Sequence, residues 1–124
     1  MANSISQVVQ ERLERAPNIW VSTVRPDGRP HLVPVWFVWV EGRIYICIEP
    51  ESRKGRNLDA NPNITVALED AAHPVICEGE GRFLPKPWPE PVIVAFRDKY
   101  DWDISDGGRY SGLVEIAPRK WLTW

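Results

Sequence analysis

Residues 31–68 read HLVPVWFVWVEGRIYICIEPESRKGRNLDANPNITVAL and contain the two patterns that decide the fold. An unbroken apolar run leads into the turn Glu41–Gly42, and the segment after that turn alternates isoleucine with other residues, as a strand with one buried face does. Ser52 then offers a side-chain oxygen to cap a short helix, and Pro62 cannot continue that helix. The stretch therefore predicts a hairpin of two strands, a short helix and a further strand.

The flanking sequence predicts more strands, with helices at the periphery. The turn Asp27–Gly28 joins a strand before it to the apolar run after it, because this pair favours the positive φ of a tight hairpin. Apolar residues recur at every second position in residues 75–83 and at every third or fourth position in residues 4–15, which predicts a strand and an amphipathic helix. The remaining predictions are strands at residues 18–25, 43–49, 64–68 and 110–117 and helices at residues 52–60 and 92–99. We therefore expect a mainly β fold in one domain of residues 1–124, a closed or split β-barrel of six or so mostly antiparallel strands with peripheral helices.

The composition limits the classes of function. Lys and Arg number 15 against 17 Asp and Glu, a formal net charge of -2, whereas nucleic acids and anionic membranes favour an excess of cations. Cys47 and Cys77 lie in apolar β-like segments without CxxC spacing or clustered histidines, so we expect two buried thiols and no metal site. The longest apolar run, residues 32–40, is too short to cross a bilayer, and residues 2–4 do not begin a charged leader. We expect a soluble, cytoplasmic protein that binds neither nucleic acid nor membrane.

The segment SRKGR at residues 52–56 places three cations where a helix begins. Arg53, Lys54 and Arg56 follow the cap, although the N-terminus of a helix carries partial positive charge and normally attracts carboxylates. A phosphate would reverse that repulsion by accepting hydrogen bonds from these cations, from the Ser52 hydroxyl and from free backbone amides. The alternative is a solvated basic turn that nearby acidic side chains neutralise, namely those of Glu49, Glu51 and Asp59.

The run HLVPVWFVWV at residues 31–40 is apolar on both faces of one predicted strand. One face can fill a barrel, so the other face needs a cover, either a helix, a second subunit or a flat ligand. Pro34 has no amide hydrogen to give to a neighbouring strand, which places it at an edge, at a bulge or beside a ligand. Seven tryptophans in 124 residues are difficult to bury completely, so some are expected to lie at an interface or in a cleft.

The order GRPHLVPVWF, followed by YICIEPESRKGRNLDANPNITVAL, resembles the pyridoxamine 5'-phosphate oxidase-like family of FMN-binding split barrels, including its deazaflavin-dependent branch. The resemblance covers roughly residues 12–84, and VEIAPRKWLTW at residues 114–124 is similar to the closing strand of the family. It implies a split barrel that works as a homodimer with FMN bound at the subunit interface.

The resemblance also implies roles for particular residues. Arg53 and Lys54 match positions that hold the FMN phosphate, with Ser52 and Arg56 as neighbours. The positions matching the strand whose backbone lines the isoalloxazine ring are Val33, Pro34, Val35 and Trp36. Cys47 and Ile48 match contact positions on the next strand. No catalytic residue is assigned, because a bound flavin supplies the redox chemistry while the protein orients it.

The function implied by the resemblance is that of a flavoprotein oxidoreductase, which oxidises or reduces a small conjugated molecule by hydride transfer. Two alternatives stay open, namely a deazaflavin-dependent reductase and a protein that binds flavin, haem or another tetrapyrrole without turnover. The chain lacks the C-terminal Arg and His substrate motif of the vitamin B6 oxidases, so pyridoxamine phosphate is not the expected substrate. Five tryptophans are candidates to narrow a cleft around a flat substrate, with core or dimer packing as the alternative for each: Trp20, Trp36, Trp39, Trp88 and Trp121.

Overall fold

The computed structural model describes residues 3–124, and within this range the chain forms seven strands and three α-helices. The helices are α1 (Gln7–Arg15), α2 (Arg53–Ala60) and α3 (Glu90–Tyr100). The strands are β1 (Ile19–Val24), β2 (Pro30–Val35), β3 (Val38–Val40), β4 (Arg43–Ile48), β5 (Asn63–Ala67), β6 (Val75–Phe83) and β7 (Gly112–Thr123). A 3-10 helix at Ile104–Asp106 precedes β7.

All of these strands belong to one antiparallel sheet that curls into a half-barrel, in the order β2-β1-β5-β6-β7-β4-β3. The longest pairing joins β6 to β7 and contains a register shift between Glu78 and Gly79. β6 alternates buried and exposed residues along most of its length, as its sequence predicts. The prediction of a mainly β split barrel with peripheral helices is therefore confirmed.

Residues 31–40 form two strands, and the prediction of one continuous strand is wrong. β2 ends at Val35 and β3 begins at Val38, and the two strands lie at opposite edges of the sheet. The cause lies at Phe37, whose backbone N–H donates to the Tyr100 hydroxyl at 3.1 Å and whose carbonyl accepts from the Lys99 ammonium at 3.0 Å. Because side chains of α3 take the backbone bonds that a neighbouring strand would otherwise make, the ladder is interrupted there.

Apolar cores fill both sides of part of the sheet. On the inner face, the isoleucines of β4 pack with Leu13 of α1 and Leu58 of α2. On the outer face, Phe96 of α3 belongs to a second buried cluster with Leu113 of β7. A helix therefore covers the outer face at β3 and β4, whereas Leu32 on the outer face of β2 is 60% exposed.

Most element boundaries differ by one or two residues from those that the sequence predicts, and two of the larger differences have a visible cause. α1 begins after Ser6, whose hydroxyl accepts the backbone N–H of Val9, rather than at residue 4. β7 continues to Thr123 because Pro118 lies at the register shift, where the missing amide hydrogen is tolerated. Cys47 and Cys77 are buried free thiols, as predicted. Within residues 3–124, no helix has the length and apolar character that crossing a bilayer requires.

Candidate functional site

A cleft of about 620 Å³ opens where three parts of the fold meet: the break between β2 and β3, the end of β4 with the start of α2, and the end of α3. This size lies within the usual range for sites that bind small molecules and cofactors. We call it the main cleft, and its lining residues are Pro34, Val35, Trp36, Cys47, Ile48, Lys54, Tyr100, Asp101, Trp102 and Tyr110. Its composition is aromatic and aliphatic apart from one cysteine, one lysine and one aspartate.

Four aromatic side chains form one continuous wall of the main cleft. The Trp36 indole stacks on the Tyr100 ring with 4.5 Å between centroids and 3° between the planes. The Trp102 indole contacts Trp36 edge-on at 6.0 Å and Tyr110 edge-on at 5.6 Å. Aromatic side chains favour stacked or edge-on contacts with other rings, so this wall suits a ligand with a flat ring.

The Tyr100 hydroxyl fixes the corner of the chain that carries this wall. It accepts the Phe37 N–H at 3.1 Å, and the Pro17 and Phe37 carbonyls lie at 2.9 and 3.0 Å to accept its single proton. The adjacent Lys99 also donates to the Phe37 carbonyl, and burial lowers the pKa of Lys99 to about 8. The end of α3 therefore holds Trp36 in two ways, by stacking on it and by binding the next residue.

The basic cluster of Arg53, Lys54 and Arg56 reaches the main cleft through one of its members. Lys54 is half-buried and lines the cleft, whereas Arg53 and Arg56 are exposed on the same turn of α2. Among residues 3–124, no carboxylate lies within 4.0 Å of these three cations, and Glu49 instead pairs with Arg109 at 3.5 Å. Direct ion pairs with Glu49, Glu51 or Asp59 are therefore not formed in this part of the chain, while Arg53 and Arg56 are solvated.

Ser52 and Gly55 hold the start of α2 against the preceding loop. The Ser52 hydroxyl donates to the Glu49 carbonyl at 2.6 Å and accepts the Gly55 N–H at 3.3 Å, so it is a cap, as predicted, with its proton already used. A Cβ atom at Gly55 would collide with the Pro50 carbonyl oxygen. Glycine at this position therefore lets the start of α2 pack directly against the backbone of Pro50.

The main cleft brings together six of the ten residues predicted to hold a cofactor. The residues that line it are Pro34, Val35, Trp36, Cys47, Ile48 and Lys54. The four others do not line it: Val33, Ser52, Arg53 and Arg56. Val33 lies opposite Val21 on the inner face of the sheet, and the other three lie around the first turn of α2.

Sequence reasoning missed the contribution of the C-terminal half of the chain. Tyr100, Asp101, Trp102 and Tyr110 all line the cleft, although they lie far from residues 31–56 along the chain. The one signal in the sequence was the pair of aromatic residues that flank Asp101. In the structure, Asp101 ends α3 with φ 53°, in the left-handed region. A turn there directs the residues after α3 back toward the cleft.

Of the five tryptophans named as candidates to narrow a cleft, Trp36 alone is among the lining residues. Trp39 and Trp121 pack edge-on against each other at 5.7 Å at the inner core. Trp88 is buried in the second core, and Trp20 is half-buried on β1. Packing is therefore the role of most of these indoles.

The main cleft does not contain an activated nucleophile. The Cys47 thiol donates to the Tyr110 carbonyl at 3.2 Å, and burial raises the pKa of Cys47 to about 12. A thiol with such a pKa stays protonated at neutral pH and is a poor nucleophile or metal ligand. Across residues 3–124, no three His, Cys, Asp or Glu side chains are grouped so that they could hold a metal ion.

Comparisons with known proteins extend the resemblance over almost the whole chain. Residues 5–124 match the family model described as pyridoxamine 5'-phosphate oxidase. No curated protein matches the sequence.

Several solved structures share the fold. An F420 reductase is 22% identical with a TM-score of 0.76, over 95% of this chain and 98% of its own. HutZ, described as the haem storage protein from Vibrio cholerae, is 19% identical with a TM-score of 0.77, over 94% and 92%. An FAD-binding protein from Mesorhizobium loti is 18% identical with a TM-score of 0.69, over 94% and 92%.

Proposed function

Since the chain belongs to the pyridoxamine 5'-phosphate oxidase family, we propose that its main cleft binds FMN and that the protein is a flavin-dependent oxidoreductase. The reaction is hydride transfer to or from a small conjugated molecule. One observation carries this proposal: a cleft of about 620 Å³ with aromatic side chains in its lining also has in that lining a lysine without a carboxylate partner among residues 3–124. A ring with a phosphate tail is the ligand that complements both features.

The residues present fit such a ligand. Lys54 lies in the lining and can bind the phosphate directly, while Arg53 and Arg56 add positive potential on the same turn. Trp36 and Tyr100 form the wall against which the ring stacks, and Ile48 adds an aliphatic side chain to the lining. When bound, a flavin supplies the hydride chemistry, and these side chains orient it and exclude water.

A deazaflavin coenzyme is the second candidate for the same site. It also presents a flat ring and a phosphate, and the F420 reductase shares the fold at a TM-score of 0.76. The same groups would hold either cofactor, because Lys54 would bind the phosphate of each and Trp36 would stack on the ring of each. A bound flavin gives the purified protein a yellow two-band spectrum, whereas a weakly retained deazaflavin leaves the protein colourless. The absorbance spectrum therefore distinguishes the two cofactors, which the lining residues do not.

Haem binding without turnover is a third possibility, favoured by the shared fold with HutZ. The lining of the main cleft contains no histidine, and the raised pKa of Cys47 opposes a thiolate ligand. Tyr110 is the remaining lining side chain suited to haem iron, since the Tyr100 hydroxyl is bonded to Phe37. We therefore rank haem below a flavin or a deazaflavin.

We further propose that the protein is a homodimer with the cofactor at the subunit interface. A row of apolar residues crosses the outer face of the sheet by register pairing, consisting of Pro34, Trp20, Ala67, Ile76 and Leu122. Leu32, two positions before Pro34, is 60% exposed. A second copy is the cover that best fits this row, because the row continues at Pro34 into the main cleft.

The first test is the absorbance spectrum of the purified protein, followed by titration with FMN, a deazaflavin coenzyme and haemin. Quenching of indole fluorescence reports binding, because Trp36 and Trp102 line the cleft. We expect FMN or the deazaflavin to bind with micromolar or tighter affinity. Turnover is then tested without oxygen by adding NADPH or a reduced deazaflavin together with a panel of substrates, and we expect a conjugated substrate to be reduced. Binding of haemin alone, with a Soret band, would contradict the proposal.

The dimer is tested by light scattering after size-exclusion chromatography. Leu32→Glu should shift the protein toward a monomer, because it places a charge in the proposed interface. Val8→Glu, on an equally exposed apolar residue of α1, is the matched control and should leave the oligomeric state unchanged. If the wild-type protein is a monomer even at high concentration, the dimer proposal is wrong, whereas the cofactor proposal is not tested by that result.

A further inference from the structure

A histidine close to the cations of α2 has no role in the function proposed above. His31 lies on β2 directly opposite Thr23 of β1. Paired residues of antiparallel strands project from the same face of the sheet. The Thr23 hydroxyl accepts a hydrogen bond from the Asn57 amide of α2 at 3.0 Å, so this is the face on which α2 packs. His31, Thr23 and Asn57 therefore form a row that leads to the first turn of α2.

One nitrogen of His31 has no partner. Nδ1 is inaccessible to solvent and makes no hydrogen bond within residues 3–124, although other atoms of the side chain are partly exposed. Buried polar side-chain atoms nearly always have a partner, since leaving one unpaired costs about 1–3 kcal/mol. When protonated, both ring nitrogens are donors and both require acceptors. An acceptor close to α2 would satisfy the ring.

The charges that act on His31 are all positive. Arg25 acts from the hairpin between β1 and β2, and Lys54 and Arg53 act from α2. Burial chiefly, and then these three cations, lower the pKa of His31 below its usual range. The ring is therefore neutral at pH 7 in the free protein, in surroundings that attract an anion.

We propose that His31, which lies outside the lining of the main cleft, is a further anion-binding residue beside the cations of α2 and that it takes up a proton when a cofactor phosphate binds. The inference rests on the proposed function. It assigns a further phosphate-binding residue to the cofactor site and predicts that a proton is taken up when the cofactor binds. A phosphate brings close to two negative charges at neutral pH, which oppose the field of Arg25, Arg53 and Lys54. The imidazolium then donates to the anion rather than facing three cations alone.

The sign of the pH dependence follows from this exchange. The pKa of His31 is low without phosphate and higher with it, so between these two values binding takes up protons and affinity falls as pH rises. One proton changes the dissociation constant by at most about tenfold per pH unit. The second ionisation of a phosphate monoester lies near pH 6 and acts in the opposite direction, so measurements between pH 7 and 8 isolate the histidine.

The test uses side-chain NMR of the intact protein, because the sequence contains only two histidines. His73 is exposed, with its Nδ1 at 3.6 Å from an Asp70 carboxylate oxygen, and is an internal control. Both are titrated without ligand, with FMN or the deazaflavin coenzyme, and with riboflavin, which lacks the phosphate. We expect the pKa of His31 to rise by about one unit or more with the phosphorylated ligands only. The His73 signal should not respond to any of these ligands.

A second measurement is calorimetry at pH 7.5 in buffers of different ionisation enthalpy. Wild type and His73→Gln should take up a fraction of a proton on binding FMN, and His31→Gln should take up none. If FMN binds but the His31 signal titrates at the same pH with and without it, the inference is wrong while the proposed function stands. If neither FMN nor the deazaflavin binds, both are wrong.

Discussion

The indole of Trp36 lies parallel to the phenol ring of Tyr100, with 4.5 Å between centroids and 3° between planes. Trp36 is 51% exposed and lines the main cleft. The stack joins the break between β2 and β3 to the end of α3, two parts of the chain more than sixty positions apart. The cleft is thus built by a contact between distant segments.

Trp36→Ala should weaken cofactor binding by removing the exposed member of this stack. Stacking of a flat ring on an aromatic side chain contributes about 1–3 kcal/mol, so FMN and riboflavin should both lose roughly tenfold or more in affinity. Fluorescence or calorimetric titration measures the change. Trp124→Ala, at a tryptophan that is 74% exposed and absent from the cleft lining, is the control and should bind both ligands normally.

Arg53→Ala combined with Lys54→Ala should lower the affinity for FMN and leave the affinity for riboflavin unchanged. Charge-assisted hydrogen bonds contribute about 1.5–3 kcal/mol each, so the FMN dissociation constant should rise by roughly a hundredfold. Riboflavin has no phosphate, and its affinity should stay within error of the wild-type value. The double variant Arg15→Ala with Lys120→Ala removes the same charge elsewhere on the surface, and equal weakening by that variant would show a nonspecific field effect.

Tyr100→Phe should destabilise the fold while keeping the aromatic stack. The variant leaves the Phe37 N–H without its acceptor, at a cost of about 1–3 kcal/mol in the free energy of unfolding. Urea denaturation followed by circular dichroism measures this cost. Tyr110→Phe loses only an exposed bond from Arg109 at 3.3 Å and should unfold at nearly the wild-type urea concentration. Equal midpoints for the two variants would refute the assigned role of the Tyr100 hydroxyl.

Gly55→Ala should also destabilise the protein, although alanine favours a helix more than glycine does. The gain in helix propensity is about 1 kcal/mol, but a Cβ atom would collide with the Pro50 carbonyl oxygen, which is backbone and can yield only by moving the loop. We expect a net loss of about 1–3 kcal/mol, typical of overpacking. Asp59→Ala at an exposed position of α2 is the control, and a Gly55→Ala protein as stable as wild type would disprove the close packing.

The Cys77 thiol should contribute a stability that disappears in alkali. Burial raises the pKa of Cys77 to about 12 from an ordinary value of 9.0. A group whose pKa is raised on folding stabilises the native state fully below its unfolded pKa, and this contribution falls as pH rises from 9 to 12. The difference in unfolding free energy between wild type and Cys77→Ala should therefore narrow between pH 9 and 11. A constant difference over that range would mean that the thiol ionises equally in both states.

The local pattern of the sequence was enough to predict the strands outside residues 31–40 and the basic start of α2. Alternation in β4 and β6 and the cap at Ser52 depend on neighbours along the chain, so they are visible without a structure. Six of the ten residues assigned by resemblance line one cleft. The break at Phe37 was not predictable, since it depends on Tyr100 and Lys99 far along the chain.

The sequence by itself determined the mainly β architecture, because period-two burial and turn residues are local properties of the chain. It also determined where positive charge concentrates, at residues 53–56. Only the tertiary structure decided which side chains share the cleft with Lys54, and that Glu49 pairs with Arg109 instead of the basic turn. The physical reason is that side-chain hydrogen bonds and ring stacking act over a few ångströms in space, and folding brings together residues whose separation along the chain carries no signal of their contact.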